Sequence, residues 1–307
     1  MKTRAILLAL IVAAFALRAY RLEQQSLWTD EGFSVDFASQ SVERMLGMWA
    51  LRQPVTPSVV VSGVADNELA AATDAHAPLY YFLLHYWVQL AGRVEFALRF
   101  LSVLFGLVIV ALLYVVGRRL FDERVGLFAA LYGAVSPFHV AYSQEARMYS
   151  LATMLSLLSV YLMVRVSSGS CRTVHVLGYV VATALALYTH YFTALIVVFE
   201  NAFFLGLLCL RVAKDGANAR PEAETGQRFS PGRLLMEWSL AQAGVLLLLA
   251  PWLGMIVQQA LEHRNEALAV PPGAQVLYWY WQAINTGARS TPEAPAGQLL
   301  ALLGVVA

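Results

Sequence analysis

The chain alternates long apolar runs with short polar breaks. The apolar runs are 5–20, 78–91, 100–117, 125–142, 148–165, 174–190, 192–210 and 236–257, and another opens at 297. A helix that crosses a bilayer needs about 20 apolar residues, so most of these runs predict transmembrane helices. The run 78–91 is the shortest, and His85 and Gln89 interrupt it. Two polar stretches are long, 21–77 and 258–296. The stretch 214–232 is rich in Ala, Gly, Pro and Glu without periodicity, the composition of a linker.

The positive-inside rule decides how the runs are threaded. The start, MKTR, places the N-terminus in the cytoplasm and residues 21–77 outside. If 78–91 crossed, Arg118/Arg119 and the basic loop 211–233 (Arg211, Lys214, Arg220, Arg228, Arg233) would fall outside. If 78–91 lies along the surface, MKTR, Arg118/Arg119/Arg124, Arg165/Arg172 and 211–233 all fall inside. The second threading is preferred. It makes 78–91 an interfacial helix, in keeping with Tyr80, Tyr81, Tyr86 and Trp87. The outer face then gathers 21–77, the turns at 93–99 and 136–147, the hairpin 188–191 and the stretch 258–296.

Composition agrees. Of 307 residues, 59% are hydrophobic and 13% are charged, against about 25% charged in soluble domains. Mean hydropathy is +0.60. The expected fold class is an all-α polytopic membrane protein. The net charge of +1 says nothing about nucleic acid, but no basic aromatic patch is present, so no nucleic-acid partner is expected. Cys171 and Cys209 are too few and too far apart for a disulfide framework or zinc site. The basic, apolar N-terminus resembles a secretory leader, but Leu17-Arg18-Ala19-Tyr20-Arg21 is a poor cleavage site. An uncleaved first span is expected. The run GQLLALLGVVA stops inside an apolar stretch, so a longer protein is expected.

Candidate chemistry lies in the outer stretches. Asp30 and Glu31, in SLWTDEGFS, follow the first run. An Asp there is a common helix cap, but paired acids at the mouth of a bundle are costly unless solvated, paired or used. Asp74 and His76 precede the interfacial run, and His76 reads as a cap, a surface residue or a partner for an anion. Arg99 is a snorkelling anchor or a cation reaching inward. The richest stretch is SPFHVAYSQEARMYS, with a helix break at Ser136-Pro137, then His139, Gln144, Glu145, Arg147 and Tyr149. Glu145 and Arg147 form an internal salt bridge or line a site. His190 sits at a hairpin tip between tyrosines. Asp30, Glu31, Glu145 and histidines would hold a divalent ion only by converging. There is no HExxH, Cys/His cluster, phosphate loop, dinucleotide fingerprint or nucleophile elbow.

The order SLWTDEGFS, HAPLYYFLLHYW, ALRFLSVLFGLVIVALLYVVGRRLF, SPFHVAYSQEARMYS, YTHYF resembles the bacterial glycosyltransferases of the GT-C superfamily. It is most similar to predicted mannosyltransferases related to protein O-mannosyltransferases and to the aminoarabinose transferases of lipid A. The resemblance covers about 5–210. It implies a helix bundle with its site on the periplasmic face of a bacterial inner membrane. It also implies transfer, with inversion, of mannose or another hexose from a polyprenyl-phosphate carrier to a hydroxyl on a protein, lipid or glycan. By motif position Asp30 takes the role of catalytic base, with Glu31 as companion. The family's His-Pro-Pro-Leu corresponds to His76-Ala77-Pro78-Leu79, with one proline replaced, and its arginine opening the second span corresponds to Arg99. Where some relatives carry lysines, this chain has His76 and His190.

That chemistry suits the residues. A hydroxyl needs a carboxylate to take its proton as the new bond forms, and a departing lipid phosphate needs cations or donors. His76, Arg99, Glu145, Arg147, Tyr149 and His190 are the expected donor-binding set. The lipid-linked sugar is itself the substrate. No further cofactor is implied, and no metal is assigned. Three alternatives compete: a transporter or flippase of lipid-linked sugars, a non-catalytic membrane subunit, and an oligosaccharide ligase using a diphosphate carrier. Transporters place polar residues at the midplane and show internal repeats, whereas here they gather at one face.

Overall fold

The computed structural model describes residues 2–51, 77–168, 173–217, 231–262 and 281. Its helices are α1 (Lys2–Ala19), α2 (Thr29–Ala38), α3 (Val42–Leu51), α4 (Leu79–Ala91), α5 (Glu95–Leu120), α6 (Glu123–Val135) and α7 (Pro137–Ser143). They continue as α8 (Tyr149–Ser167), α9 (Thr173–Leu187), a 3-10 turn (Tyr191–Thr193), α10 (Ala194–Ala217) and α11 (Pro231–Glu262). No strand occurs among the described residues, and the protein is an all-α polytopic membrane protein.

Four helical stretches are long and apolar enough to cross a membrane: Glu95–Leu120, Tyr149–Ser167, Tyr191–Ala213 and Pro231–Leu253. The pair α6 and α7, bent by 56° at its break, makes a fifth if counted as one span. The expected spans 5–20 and 174–190 correspond to α1, which carries Lys2, Arg4 and Arg18, and to α9, which has only 15 residues. The run from 297, and His263 and Arg264 of the outer stretch 258–296, lie outside the described residues. Of the two helices in the first polar stretch, α2 was expected, though from about Ser34 rather than Thr29, and α3 was not anticipated. Outward-facing Phe128, Leu195 and Leu247 are well exposed, as a lipid-facing surface requires.

The short helix α4 is where the expected interfacial run falls. It buries Tyr80, Tyr81, Leu84 and Val88 against Ala38, Leu98, Leu101, Met148, Leu151 and Ala186. Its neighbours therefore come from α2, α5, α8 and α9. Gly92, at φ 89°, ends it; that left-handed backbone suits a residue without a Cβ. On the opposite side of the chain's path, α5 and α6 cross closely. A Cβ on Gly126 would lie 2.7 Å from the Tyr114 carbonyl, so only glycine permits this approach.

The α6–α7 break has a chemical cause. Pro137 has no N–H, so the carbonyl of Gly133, four residues earlier, loses its helical donor. Arg18, fully buried on α1, supplies replacements: Nη2 donates to the Gly133 carbonyl at 2.7 Å and Nη1 to the Ala134 carbonyl at 3.0 Å. Its Nε donates to Ser143 Oγ at 3.3 Å. The residue that made a poor cleavage site is therefore part of the core.

A second buried polar group ties α8 to α11. Glu200, on α10, is fully buried. Ser159 and Tyr179 donate to its two oxygens at 2.7 and 3.0 Å, and Gln242 donates to Tyr179 Oη at 2.9 Å. Each donor comes from a different helix, so the network cross-links four helices where no water is available.

Candidate active site

Asp30 and Glu31 stand in the first turn of α2, where acids favour the helix dipole. Consecutive helical side chains project about 100° apart, and the two acids meet opposite environments. Glu31 points inward and is fully buried. Asp30 points outward, its side chain 38% exposed.

Glu31 is saturated. Arg99 Nε donates to Oε1 at 2.8 Å and Nη2 to Oε2 at 2.7 Å, a two-pronged ion pair. The Ala146 amide adds a bond to Oε1 at 2.8 Å, and the Trp28 amide, at the N-cap, one to Oε2 at 3.3 Å. Burial by itself would push this carboxyl up, but the Arg99 guanidinium and the two amides hold it below its ordinary value.

Arg99 is saturated too. Besides Glu31, Nη1 donates to the carbonyls of Leu22 and Gln25, each at 2.8 Å, and Nη2 to that of Ser26 at 3.2 Å. All five guanidinium N–H groups end inside the protein, which leaves none for an incoming phosphate. The pair is a strut. It fixes the turn after Arg21, whose φ of 56° reverses the chain, and through Ala146 it fixes the loop before α8.

A pH prediction follows from the depressed Glu31 carboxyl. Its stabilisation is complete above the ordinary glutamate value of about 4.3. It is lost as pH falls from there through the lower folded value. Thermal unfolding followed from pH 7 to 3 should show an acid limb that flattens in Glu31→Gln. An unchanged limb would remove Glu31 as its source.

The strut sets the next residues in place. Arg147, 3% exposed, follows Ala146. Its carboxylate partner among the described residues is Asp30, with Nη2 3.7 Å from Oδ2. The internal Glu145–Arg147 pair considered from the sequence gives way to this longer-range one. Arg147 Nη1 also donates to the Asp30 carbonyl at 3.2 Å, to Ser34 Oγ at 3.3 Å and, more distantly, to Tyr81 Oη at 3.5 Å. Its own carbonyl accepts from Ser102 Oγ at 3.3 Å. Burial pushes the Tyr81 phenol up to about 12, with Arg147 opposing; the phenol is neutral at pH 7. Asp30 differs from Glu31 in a further way: among the described residues its carboxylate accepts no hydrogen bond, and its ion-pair partner is Arg147.

Tyr149 stands beside this pair, with the Arg147 guanidinium carbon 5.8 Å from its ring centre. The His190 ring lies 6.0 Å from the Tyr149 ring and stacks on Tyr191 and Phe192. Its Nδ1 accepts the Phe192 amide at 3.1 Å and so caps the 3-10 turn. The Leu79 amide donates to the Tyr188 carbonyl at 3.0 Å, which sets the start of α4 beside the same hairpin. Glu145 is half-buried and acts electrostatically on Arg99. Asp74 and His76 lie outside the described residues.

The structure thus brings Asp30, Arg147, Tyr149 and His190 to one end of the bundle and sets Glu31 and Arg99 behind them. Sequence reasoning missed Ser34 and the role of Tyr81, whose only signal was an interfacial aromatic pattern. It also missed Glu200, although an acid inside LIVVFENAFF was a readable signal. Among the described residues, no three of His, Cys, Asp and Glu converge as metal ligands would.

Residues 75–212 match the family model described as dolichyl-phosphate-mannose-protein mannosyltransferase. The match bears out the resemblance to the GT-C enzymes, and with the helical bundle it supports a membrane glycosyltransferase of the GT-C type. It covers Arg99, Arg147, Tyr149 and His190 but begins after Asp30 and Glu31. No curated protein matches the chain.

Proposed function

We propose that the protein transfers a hexose, with mannose the first choice, from a polyprenyl-phosphate carrier to an acceptor hydroxyl. The reaction takes place with inversion on the outer face of a bacterial inner membrane. The observation that carries this reading is the contrast between the two acids. Glu31 is spent on structure, while the Asp30 carboxylate is half-exposed, accepts no hydrogen bond among the described residues, and has a buried arginine 3.7 Å away.

Asp30 is the base. It takes the proton of the acceptor hydroxyl as oxygen attacks the sugar's anomeric carbon. The bond from that carbon to the phosphate oxygen breaks, and the lipid phosphate leaves with an added negative charge. Arg147 is placed to offset that charge from a buried position, where its field is little screened. Tyr149 and His190 flank it as candidate sugar or phosphate contacts. Glu31 and Arg99 act as positioning residues: they hold the loops that present Asp30 and Arg147. The bond broken is already activated, so the reaction needs no nucleotide.

The test supplies membranes carrying the protein with radiolabelled polyprenyl-phosphate mannose, then with a panel of other polyprenyl-phosphate sugars. Label should leave the lipid for a hydroxyl acceptor with at least one donor. If every lipid-linked sugar is left intact, or crosses the membrane without bond cleavage, the reading fails. The second outcome would favour the flippase.

A further inference from the structure

At the end of the bundle away from Asp30, a cavity of about 370 Å³ opens between α5 and α8. It is lined by Tyr114, Val115, Arg118, Arg119, Tyr161 and Arg165. Three arginines share it, and no carboxylate is among the lining residues. The C-terminal ends of the two helices offset part of this charge, but each carries only about half a negative charge. A net positive charge therefore remains in a concave site, where field lines concentrate.

Two of these cations are held and one is open. Arg119 Nη2 is 3.2 Å from Ser168 Oγ, and Arg165 Nη2 is 3.2 Å from His175 Nε2. Among the described residues the Arg118 guanidinium makes no hydrogen bond, and the residue is exposed. Tyr114, itself buried, also lines the cavity. The planar forks of arginine suit phosphate oxygens.

Depth indicates the source of the phosphate. Along α5, Arg118 lies 19 residues beyond Arg99, about 28 Å at 1.5 Å per residue. Along α8, Arg165 lies 16 residues beyond Tyr149, about 24 Å by the same rise. The hydrocarbon core of a bilayer is about 30 Å thick. With the Asp30 end at one polar boundary, this cavity falls at the other, beside the headgroups.

We propose that this cavity binds the phosphate of an anionic membrane lipid in the leaflet opposite the active site. It is separate from the sugar-transfer site and stands whether or not the proposed transfer is correct. A headgroup held there fixes the depth and tilt of α5 and α8, the helices that carry Arg99 and Tyr149 at their other ends.

The experiment reconstitutes the full chain in phosphatidylcholine nanodiscs containing a small fraction of phosphatidylglycerol. Lipid retained on extraction is read by native mass spectrometry. Wild type should retain phosphatidylglycerol, and Arg118→Gln and Arg165→Gln should each lower retention about tenfold, the scale of one charge-assisted contact. Arg124→Gln, an exposed arginine at the same end but outside the cavity, should leave retention unchanged. Equal loss in Arg124→Gln would reduce the effect to unspecific surface charge and overturn the site. So would equal retention in all variants. Displacement by millimolar inorganic phosphate would assign the cavity to a soluble anion and overturn the lipid. The Arg118 guanidinium makes no hydrogen bond among the described residues, so Arg118→Gln decides the matter even if Arg165→Gln fails to fold.

Discussion

Asp30→Asn should lower sugar transfer about 10²–10⁴-fold, the usual contribution of a positioned general base, with the unfolding temperature unchanged. The amide is nearly isosteric and keeps an acceptor toward Arg147 but cannot take a proton. The Asp30 side chain is 38% exposed and its ion pair with Arg147, at 3.7 Å, is longer than a hydrogen bond, so the change costs far less than breaking a fully buried pair. Donor consumption in membranes, together with thermal unfolding of the purified variant, separates the two effects. A variant that transfers at the wild-type rate would reduce Asp30 to a helix-terminal acid and move the search for the base elsewhere.

Its neighbour should behave in the opposite way. Glu31→Gln leaves Arg99 buried without its counter-charge, a change that costs about 3–5 kcal/mol in comparable pairs. Arg99→Met should cost a similar amount, because it orphans Glu31 and the carbonyls of Leu22, Gln25 and Ser26. The double variant should lose much less than the sum, since neither charge is then left alone. Denaturation of all four proteins in detergent closes the cycle. Additive losses, or single losses below about 1 kcal/mol, would contradict a strut. Transfer per folded molecule should fall far less in the single variants than in Asp30→Asn, because they loosen the loops that present Asp30 and Arg147 but keep both groups, so kinetics and stability distinguish adjacent acids.

That distinction could not be read from the sequence. Side by side in SLWTDEGFS, the two acids carry the same chemistry. Which one turns inward depends on the phase of α2, and that is fixed by an arginine 68 residues away. The bundle itself was more legible, because lipid forces apolar runs to be long. The aromatic run 78–91 and the break at Ser136-Pro137 were also legible, the one from its composition and the other from the missing N–H. In the first polar stretch only α2 was foreseen, and its start was placed late; α3, short and without a long apolar run, was not. Arg147 was visible as a candidate, but its pairing with Asp30 was not, because Asp30 is brought in from far along the chain through Ala146 and the strut.

The arginine that mends the α6–α7 break also sets a schedule for biosynthesis. Arg18 leaves the ribosome 116 residues ahead of the Ala134 carbonyl it serves. At about 5–20 residues per second, the interval is roughly 6–23 s. Throughout that time the first helix holds a guanidinium with no protein acceptor beyond its own backbone, at the edge of a medium hostile to charge. It must linger near the headgroups, or shelter in the insertion machinery, until the proline-broken hairpin arrives. The N-terminal segment therefore reaches its final place late, as a piece captured by helices made after it.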